Sequence, residues 1–175
     1  DVLRRVEAMD AYHIDLSHGA VLETGKVYVI PLQESLTLPQ HVRGFANPKS
    51  STGRLDVLTR LITEHGTVFD QIEPGYRGRL YLEVAPQTFS IVVRPGTQLN
   101  QLRFQRGTGI ALGGGTLRRL YRDGELARPF DDKHPLADNL IPVTIDLKGA
   151  GSGSIIGYRA RRFTDRIDLD LKGHY

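Results

Sequence analysis

Hydrophobic and polar residues alternate along several short segments in the first half of the chain. The segments 26–32, 78–85, 89–96 and 98–104 are rich in β-branched or alternating apolar residues, and glycine or proline separates them. This pattern predicts short strands joined by turns, as in a β-sandwich, a jelly roll or a barrel. Helical spacing of apolar residues is found at 1–9. Strands and helices do not alternate, so a parallel sheet of βαβ units is not expected.

The pattern changes after the last of these strands. A glycine-rich run, a short helical candidate and a polar stretch with prolines follow, which is typical of a linker. Strand-like alternation returns at 141–147, 154–162 and 166–171. Three strands are too few for a sandwich of their own, so they either join the first sheet or open a second domain, and we favour the second domain. The predicted division is a β-domain at 1–105, a linker at 106–139 and the opening strands of an incomplete β-domain at 140–175.

The composition of the chain limits the kinds of functional site that it can form. The chain has 175 residues, no cysteine and a formal net charge of +3. Without cysteine, neither a Cys-rich structural zinc site nor the zinc-deaminase arrangement of paired Cys ligands can be built. The charge is too small to indicate a nucleic-acid surface, but it is compatible with a small anionic ligand. No apolar run approaches the roughly 20 residues of a membrane span, and residues 1–16 lack the apolar segment of a signal peptide, so we expect a cytoplasmic protein.

A polar cluster, ANPKSSTGRLDV, interrupts the strands at 46–57. Asn47 is a good N-cap and Pro48 suits the first helical position, so a single helical turn is predicted to begin there. A helix start that also presents hydroxyls and cations can hold a polyphosphate. The same residues would also suit a polar loop between two strands. The candidate anion-binding residues are Lys49, Ser50, Ser51 and Arg54.

One carboxylate falls inside a predicted strand. In the segment 78–85, Leu80, Leu82 and Val84 share one face, and Glu83 lies on the other. An unpaired carboxylate among hydrophobic residues is costly. Glu83 is therefore expected either to pair with a cation such as Arg79 or to be held there for chemistry.

Three motifs in order resemble the dCTP deaminase branch of the dUTPase superfamily. They are Ser-Ser-x-x-Arg-Leu at 50–55, Pro-Gly-Tyr-x-Gly at 74–78 and Arg-Pro-Gly at 94–96, and the resemblance covers roughly residues 12–105. It implies a mainly β fold, a dUTPase-like distorted jelly roll or barrel with one short helical turn at the phosphate motif. The chain looks most like an internal portion of the long, two-domain form of the family.

The position of the carboxylate favours deamination over diphosphate hydrolysis. In dUTPases the catalytic carboxylate precedes the Tyr-x-Gly turn, where this chain has Glu73, whereas in dCTP deaminases it lies within the strand, where this chain has Glu83. The resemblance implies that Glu83 is the general acid/base that activates water at cytosine C4. It also implies that Lys49, Ser50, Ser51 and Arg54 hold the triphosphate, with Arg54 stabilising developing charge. Mg²⁺ would be bound through the triphosphate of dCTP, no zinc would be used, and the protein would be a homo-oligomer with trimeric or pseudo-trimeric packing.

The chain departs from the family pattern in places. Most short members have Arg at Lys49 and Gly at Asp56, and the segment 58–73, expected to be a loop that reads the base, is several residues longer here. No base-recognition residue is therefore assigned. Two alternatives remain: a dUTPase or bifunctional deaminase-diphosphatase, and a non-catalytic nucleotide-binding β-domain. The preferred function is hydrolytic deamination of dCTP to dUTP and ammonia, in the supply of dUMP and dTTP.

Overall fold

The computed structural model describes residues 2–107, 113–126, 140–141, 143–149, 151–161 and 165–171. The described residues fall into two compact units, the first within Asp1–Thr108 and Ala160–Tyr175 and the second within Gly109–Arg159. The helices of the described chain are α1 (Val2–Glu7), α2 (Ser50–Arg54) and α3 (Gly114–Arg122). Its strands are β1 (Ala20–Leu22), β2 (Tyr28–Thr37), β3 (Val42–Pro48), β4 (Val57–Thr63), β5 (Gln71–Ile72), β6 (Arg77–Pro86), β7 (Ile91–Val93), β8 (Asn100–Arg106) and β9 (Ile167–Asp168).

The strands form three small sheets. β6 lies between β2 and β4, β3 lies between β5 and β8, and β7 lies between β1 and β9. Every pair is antiparallel except β7 with β9, which is parallel. The expectation of a mainly β fold without βαβ units is therefore confirmed.

The central strand β6 is buried on both faces from Leu80 to Pro86, apart from the partly exposed Glu83. Leu80, Leu82 and Val84 share one face, as the alternation predicts, and join the hydrophobic core. Tyr81 and Ala85, on the opposite face, are buried as well. A strand with a neighbour on each side and cover on both faces loses the simple inside-outside alternation. Glu83 therefore lies on a face that is largely shielded from solvent.

The core of the first unit is shared by all three sheets. Side chains such as Leu22 of β1, Leu61 of β4 and Ile91 of β7 are at most 1% exposed. Full burial of one such side chain stabilises a fold by about 1.5–3 kcal/mol. The complete cluster is Leu22, Ala46, Leu55, Val57, Leu61, Ile72, Leu80, Leu82, Val84, Ile91, Val93 and Leu99.

Most of the local predictions are confirmed, with shifted ends. The four predicted strands correspond to β2, β6, β7 and β8, and the helices expected at 1–9 and after the glycine run correspond to α1 and α3. The interpretation of 58–73 as a loop is wrong at its beginning, because β4 extends to Thr63 and pairs along its whole length with β6. Much of the predicted linker, at 108–112 and 127–139, lies outside the described residues.

The strand predictions near the C-terminus are partly wrong. The described residues of 141–147 and 154–161 contain no strand, and Val143 and Ile145 are 91% and 83% exposed. Alternation alone cannot make a strand, because the backbone groups need a partner strand to bond. The third segment, predicted at 166–171, contains β9, which pairs with β7 of the first unit. The domain boundaries themselves remain a prediction.

Candidate functional site

The phosphate-motif helix begins two residues later than predicted. Asn47 and Pro48 belong to β3, where they are paired with Gln101 and Asn100 of β8. Lys49 is the N-cap, with extended backbone angles and no side-chain capping bond. The prediction of Asn47 as the cap is therefore wrong, because the ladder with β8 holds it in the strand.

This shift changes which backbone N–H groups face outward. The Lys49 N–H donates to the Leu99 carbonyl at 3.1 Å, so it is already used. The first bond of the turn runs from the Gly53 N–H to the Lys49 carbonyl at 2.9 Å. The N–H groups of the first helical residues have no carbonyl one turn earlier to bond. Ser50, Ser51 and Thr52, instead of Lys49, carry these groups here.

The predicted anion-binding residues share one turn of the chain. Ser50 and Arg54 are exposed, and Lys49 and Ser51 are half-buried. In the part of the chain that the structure describes, neither Lys49 nor Arg54 forms an ion pair. Two cations and two hydroxyls are thus grouped without an internal counter-charge, an arrangement that can bind an anion.

Lys49 also borders a pocket of about 660 Å³. Its walls include residues of β2, β6 and β8, together with Arg94. Of the predicted site residues, all of which are described, Lys49 alone lines it. The pocket therefore does not join the phosphate motif to Glu83.

The end of the phosphate motif is fixed by Asp56. Its backbone has φ of +55°, a conformation that Asp tolerates better than most residues and Gly adopts freely. Its carboxylate accepts the Thr88 hydroxyl at 2.7 Å, and its carbonyl accepts the Gln87 N–H at 3.0 Å. The left-handed backbone would also suit glycine at this position, and the Thr88 bond gives Asp a separate use here.

Glu83 is paired with an arginine that the sequence analysis did not name. Arg60 of β4 stands directly opposite Glu83 of β6 in the strand register. Its Nε donates to Glu83 Oε1 at 2.8 Å, and its Nη2 lies 2.6 Å from the same oxygen. The Glu83 side chain is 13% exposed and that of Arg60 is 40% exposed. Both contacts reach Oε1, so Oε2 has no bond from the described residues.

A second carboxylate lies on the same side of β6. The Tyr81 hydroxyl donates to Glu64 Oε2 at 2.8 Å, and the Glu64 N–H donates to the Tyr76 hydroxyl at 3.0 Å. The bond from Tyr81 lowers the pKa of Glu64 below its ordinary value. Burial first, and then the bond to Glu64, raise the pKa of Tyr81. The pair therefore remains a neutral phenol bound to a carboxylate at neutral pH.

The two predicted clusters are not joined by a described contact. The guanidinium beside Glu83 belongs to Arg60, whereas the sequence analysis suggested Arg79 as a structural partner and Arg54 as a catalytic one. Glu73, the position that would matter in a dUTPase, is exposed in the turn after β5. The sequence does draw attention to Arg60, because it is the one charged residue in the segment VLTRLIT. Its partner can be identified only from the register of β4 with β6.

Comparison with known families identifies the chain. Residues 1–108 match the model of the 2'-deoxycytidine 5'-triphosphate deaminase N-terminal domain, and residues 115–175 match that of the C-terminal domain. The chain belongs to this family. The resemblance inferred from the three motifs is thereby confirmed.

Individual relatives agree with this assignment. A crystal structure of 2'-deoxycytidine 5'-triphosphate deaminase from Agrobacterium tumefaciens superimposes with a TM-score of 0.78 and 43% identity, covering 100% of this chain and 51% of that one. The dCTP deaminase of Tolumonas auensis is 30% identical over 58% of this chain and 50% of its own length. The dUMP-forming dCTP deaminase of Corynebacterium glutamicum is 33% identical over 57% and 50%. The predicted dUTPase-like fold is confirmed, and the chain spans about half the length of the relatives it matches.

Proposed function

We propose that this chain carries the reaction site of a dCTP deaminase, which converts dCTP and water into dUTP and ammonia. The observation that carries the proposal is the Glu83 carboxylate, 13% exposed, with Oε1 held by Arg60 and Oε2 left open. Membership of the deaminase family supports the choice of reaction. Among the described helices, none has the length and hydrophobicity to cross a bilayer.

The proposed reaction uses Glu83 as a single proton carrier. Its open oxygen would accept a proton from a water molecule as the water oxygen bonds to cytosine C4. Glu83 would then give that proton to N3. It would next carry the remaining water proton from the new C4 hydroxyl to the amino group, so that the C4–N bond breaks, the C4 carbonyl forms and ammonia leaves. Shielding by the β6 face strengthens the electrostatic contacts that stabilise charge on the ring during these steps.

The triphosphate is assigned to the phosphate-motif helix. Lys49 and Arg54 would neutralise its charge, and the hydroxyls of Ser50 and Ser51 would donate to its oxygens. We also propose, from the sequence analysis, that Arg54 stabilises charge that develops in the reaction. These residues offer no carboxylate, so a Mg²⁺ ion would enter bound to the phosphates of dCTP.

Further parts of the proposal concern the whole protein. We propose that it acts without zinc and that it is located in the cytoplasm. We also propose that it is a homo-oligomer with trimeric or pseudo-trimeric packing, in which Arg54 of one subunit lies near Glu83 of another. The lack of any cysteine in the chain supports the first point. The last point is supported by the pairing of Glu83 with Arg60 and not with Arg54 among the described residues. Solution sizing and turnover in the presence of a zinc chelator test these points.

The decisive experiment is incubation of the purified protein with each deoxynucleoside triphosphate and Mg²⁺, with ammonia and pyrophosphate measured. We expect ammonia from dCTP, and Glu83→Gln should reduce its rate by at least about a hundredfold while nucleotide binding persists. Glu23→Gln, at an exposed loop carboxylate, is the matched control. Full activity of Glu83→Gln would exclude the proposed acid/base, and binding of dCTP without turnover by the parent would indicate a non-catalytic domain.

The same assay identifies the product. Deamination alone leaves dUTP, whereas the dUMP-forming relative from Corynebacterium glutamicum is named for the product dUMP. Release of pyrophosphate together with ammonia would place this protein with such relatives. Loss of pyrophosphate release in Glu73→Gln, with ammonia release retained, would assign Glu73 to that second step.

A further inference from the structure

An aromatic ring holds the arginine that binds Glu83. The Arg60 guanidinium carbon lies 4.0 Å from the centre of the Phe69 ring. We infer that Phe69 and Arg60 act together as positioning residues that aim the Glu83 carboxylate at the substrate. This inference rests on the proposed function, since it assigns a role toward the reaction of that same site.

The backbone around Phe69 is anchored to the strand that carries Arg60. Asp70, the next residue, accepts the Leu61 N–H on its carboxylate at 2.8 Å. The Asp70 N–H donates to the Leu61 carbonyl at 3.0 Å, and the Ala46 N–H donates to the Asp70 carbonyl at 2.9 Å. Asp70 also has φ of +62°, so the chain turns sharply at this point. These bonds fix Phe69 next to Arg60 instead of leaving it at the tip of a long loop.

The chemistry of arginine suits this arrangement. A guanidinium is planar, so it can lie against the face of a ring while its edge donates hydrogen bonds. Two of its nitrogens contact the same oxygen, Oε1, so this oxygen is held in place while Oε2 receives no bond from Arg60. A lysine ammonium could provide charge but not this planar, two-point contact.

Phe69 lies in the loop between β4 and β5, so its ring connects this loop to the Arg60–Glu83 ion pair. Phe69 is 42% exposed and its neighbour Val68 is 54% exposed. Loss of the Phe69 ring would remove this support from the guanidinium and so from the carboxylate, and small displacements of reacting groups can cost about a hundredfold in rate.

The first test separates positioning from folding. Arg60→Lys and Phe69→Leu should each lower kcat for dCTP about tenfold or more, with KM changed less than about threefold, whereas Phe69→Tyr should keep kcat near the parent value. Val68→Ala is the matched control in the same loop. A fall in melting temperature with unchanged kcat for the folded protein, in both Arg60→Lys and Phe69→Leu, would show a merely structural role and overturn the inference.

The second test does not depend on turnover. In a ¹⁵N spectrum of the protein, the Arg60 Nε–H should give a distinct, slowly exchanging signal because of its bond to Glu83. Glu83→Gln should shift that signal strongly, and Phe69→Leu should shift it by removing the ring. An Arg60 signal that does not respond to Phe69→Leu would overturn the inference.

The outcomes of the two proposals can be told apart. If Glu83→Gln is fully active, the assignment of Glu83 in the proposed function fails. If Glu83→Gln is inactive while Arg60→Lys and Phe69→Leu keep the parent kcat, the proposed function stands and the positioning inference fails. If the protein does not deaminate dCTP at all, the role toward this reaction fails with the proposed function, and the ¹⁵N signals still decide whether Phe69 holds Arg60.

Discussion

Arg94 binds Asp168 through two parallel hydrogen bonds, from Nη1 and Nη2 to the two carboxylate oxygens, each of 2.7 Å. The two residues are 74 positions apart in the chain. Nη1 also donates to Asp170 at 2.8 Å. Arg94 begins the Arg-Pro-Gly motif after β7, and Asp168 ends β9, so the contact fastens the late strand to the sheet of the first unit.

This contact predicts a pH dependence of stability. The bonds from Arg94, followed by the Asp170 N–H, lower the pKa of Asp168 from 3.8 to about 2. A carboxyl group with a lowered pKa in the folded state stabilises that state above its ordinary pKa, and the contribution is lost as the pH falls from about 4 to about 2. Asp168→Asn should therefore lower the melting temperature at pH 7, and its difference from the parent should shrink over that interval.

The control for this prediction is Asp165→Asn, which removes an exposed carboxylate of the same segment. Because the Arg94 pair is near solvent, added salt should also reduce the difference. Equal melting temperatures of the parent and Asp168→Asn at pH 7 and low salt would show that the contact does not stabilise the fold.

Arg54→Ala should weaken nucleotide binding. Arg54 is exposed on the phosphate-motif helix, and a charge-assisted hydrogen bond contributes on the order of 1.5–3 kcal/mol, which is tenfold or more in affinity. Calorimetric titration with dCTP and Mg²⁺ measures the change. Arg118→Ala, on the exposed side of α3, should bind like the parent. An unchanged dissociation constant for Arg54→Ala would remove this residue from the triphosphate site.

Substitutions at Asp56 should reveal its two separate contributions. Asp56→Asn retains both tolerance of the left-handed backbone and an acceptor for the Thr88 hydroxyl, so its stability should stay close to that of the parent. Asp56→Gly and Asp56→Ala both lose the acceptor, and of the two only Ala has a Cβ in the left-handed region, at a cost of about 1 kcal/mol relative to Gly. Urea unfolding should thus rank the Asn and Gly variants above the Ala variant. Equal stability of the Gly and Ala variants would contradict the backbone argument.

Tyr81→Phe should change the titration of Glu64. Removing the hydroxyl removes the bond that does most to lower the pKa of Glu64, so this pKa should rise toward its ordinary value of 4.5. The carboxyl ¹³C signal of Glu64 follows the change directly. Loss of this hydrogen bond should also cost about 1 kcal/mol of stability above pH 4.5, and the cost should decrease as the pH falls below that value. An unshifted Glu64 titration would show that the bond is absent in solution. Tyr158→Phe, at a tyrosine that is 93% exposed, is the control.

Local features of this protein could be predicted from its sequence alone. The alternation of Leu80, Leu82 and Val84 predicted a strand and its core face, because alternation is a property of neighbouring residues in one extended segment. Three motifs in order were enough to indicate the family, since the spacing of polar, glycine and proline residues is also local.

Contacts between residues that are distant in the sequence became known only from the tertiary structure. Asn47 is a strand residue and not a helix cap, because it pairs with β8. Glu83 binds Arg60 and not Arg79, because the β4–β6 register places Arg60 and Glu83 opposite each other. The same holds for Arg94 and Asp168, whose pairing depends on a parallel contact of β9 with β7. Such pairings depend on how sheets close and on the length of the connections between strands, which no single segment of sequence specifies. Alternation at 141–147 was therefore not sufficient for a strand, since the described residues of this segment form none.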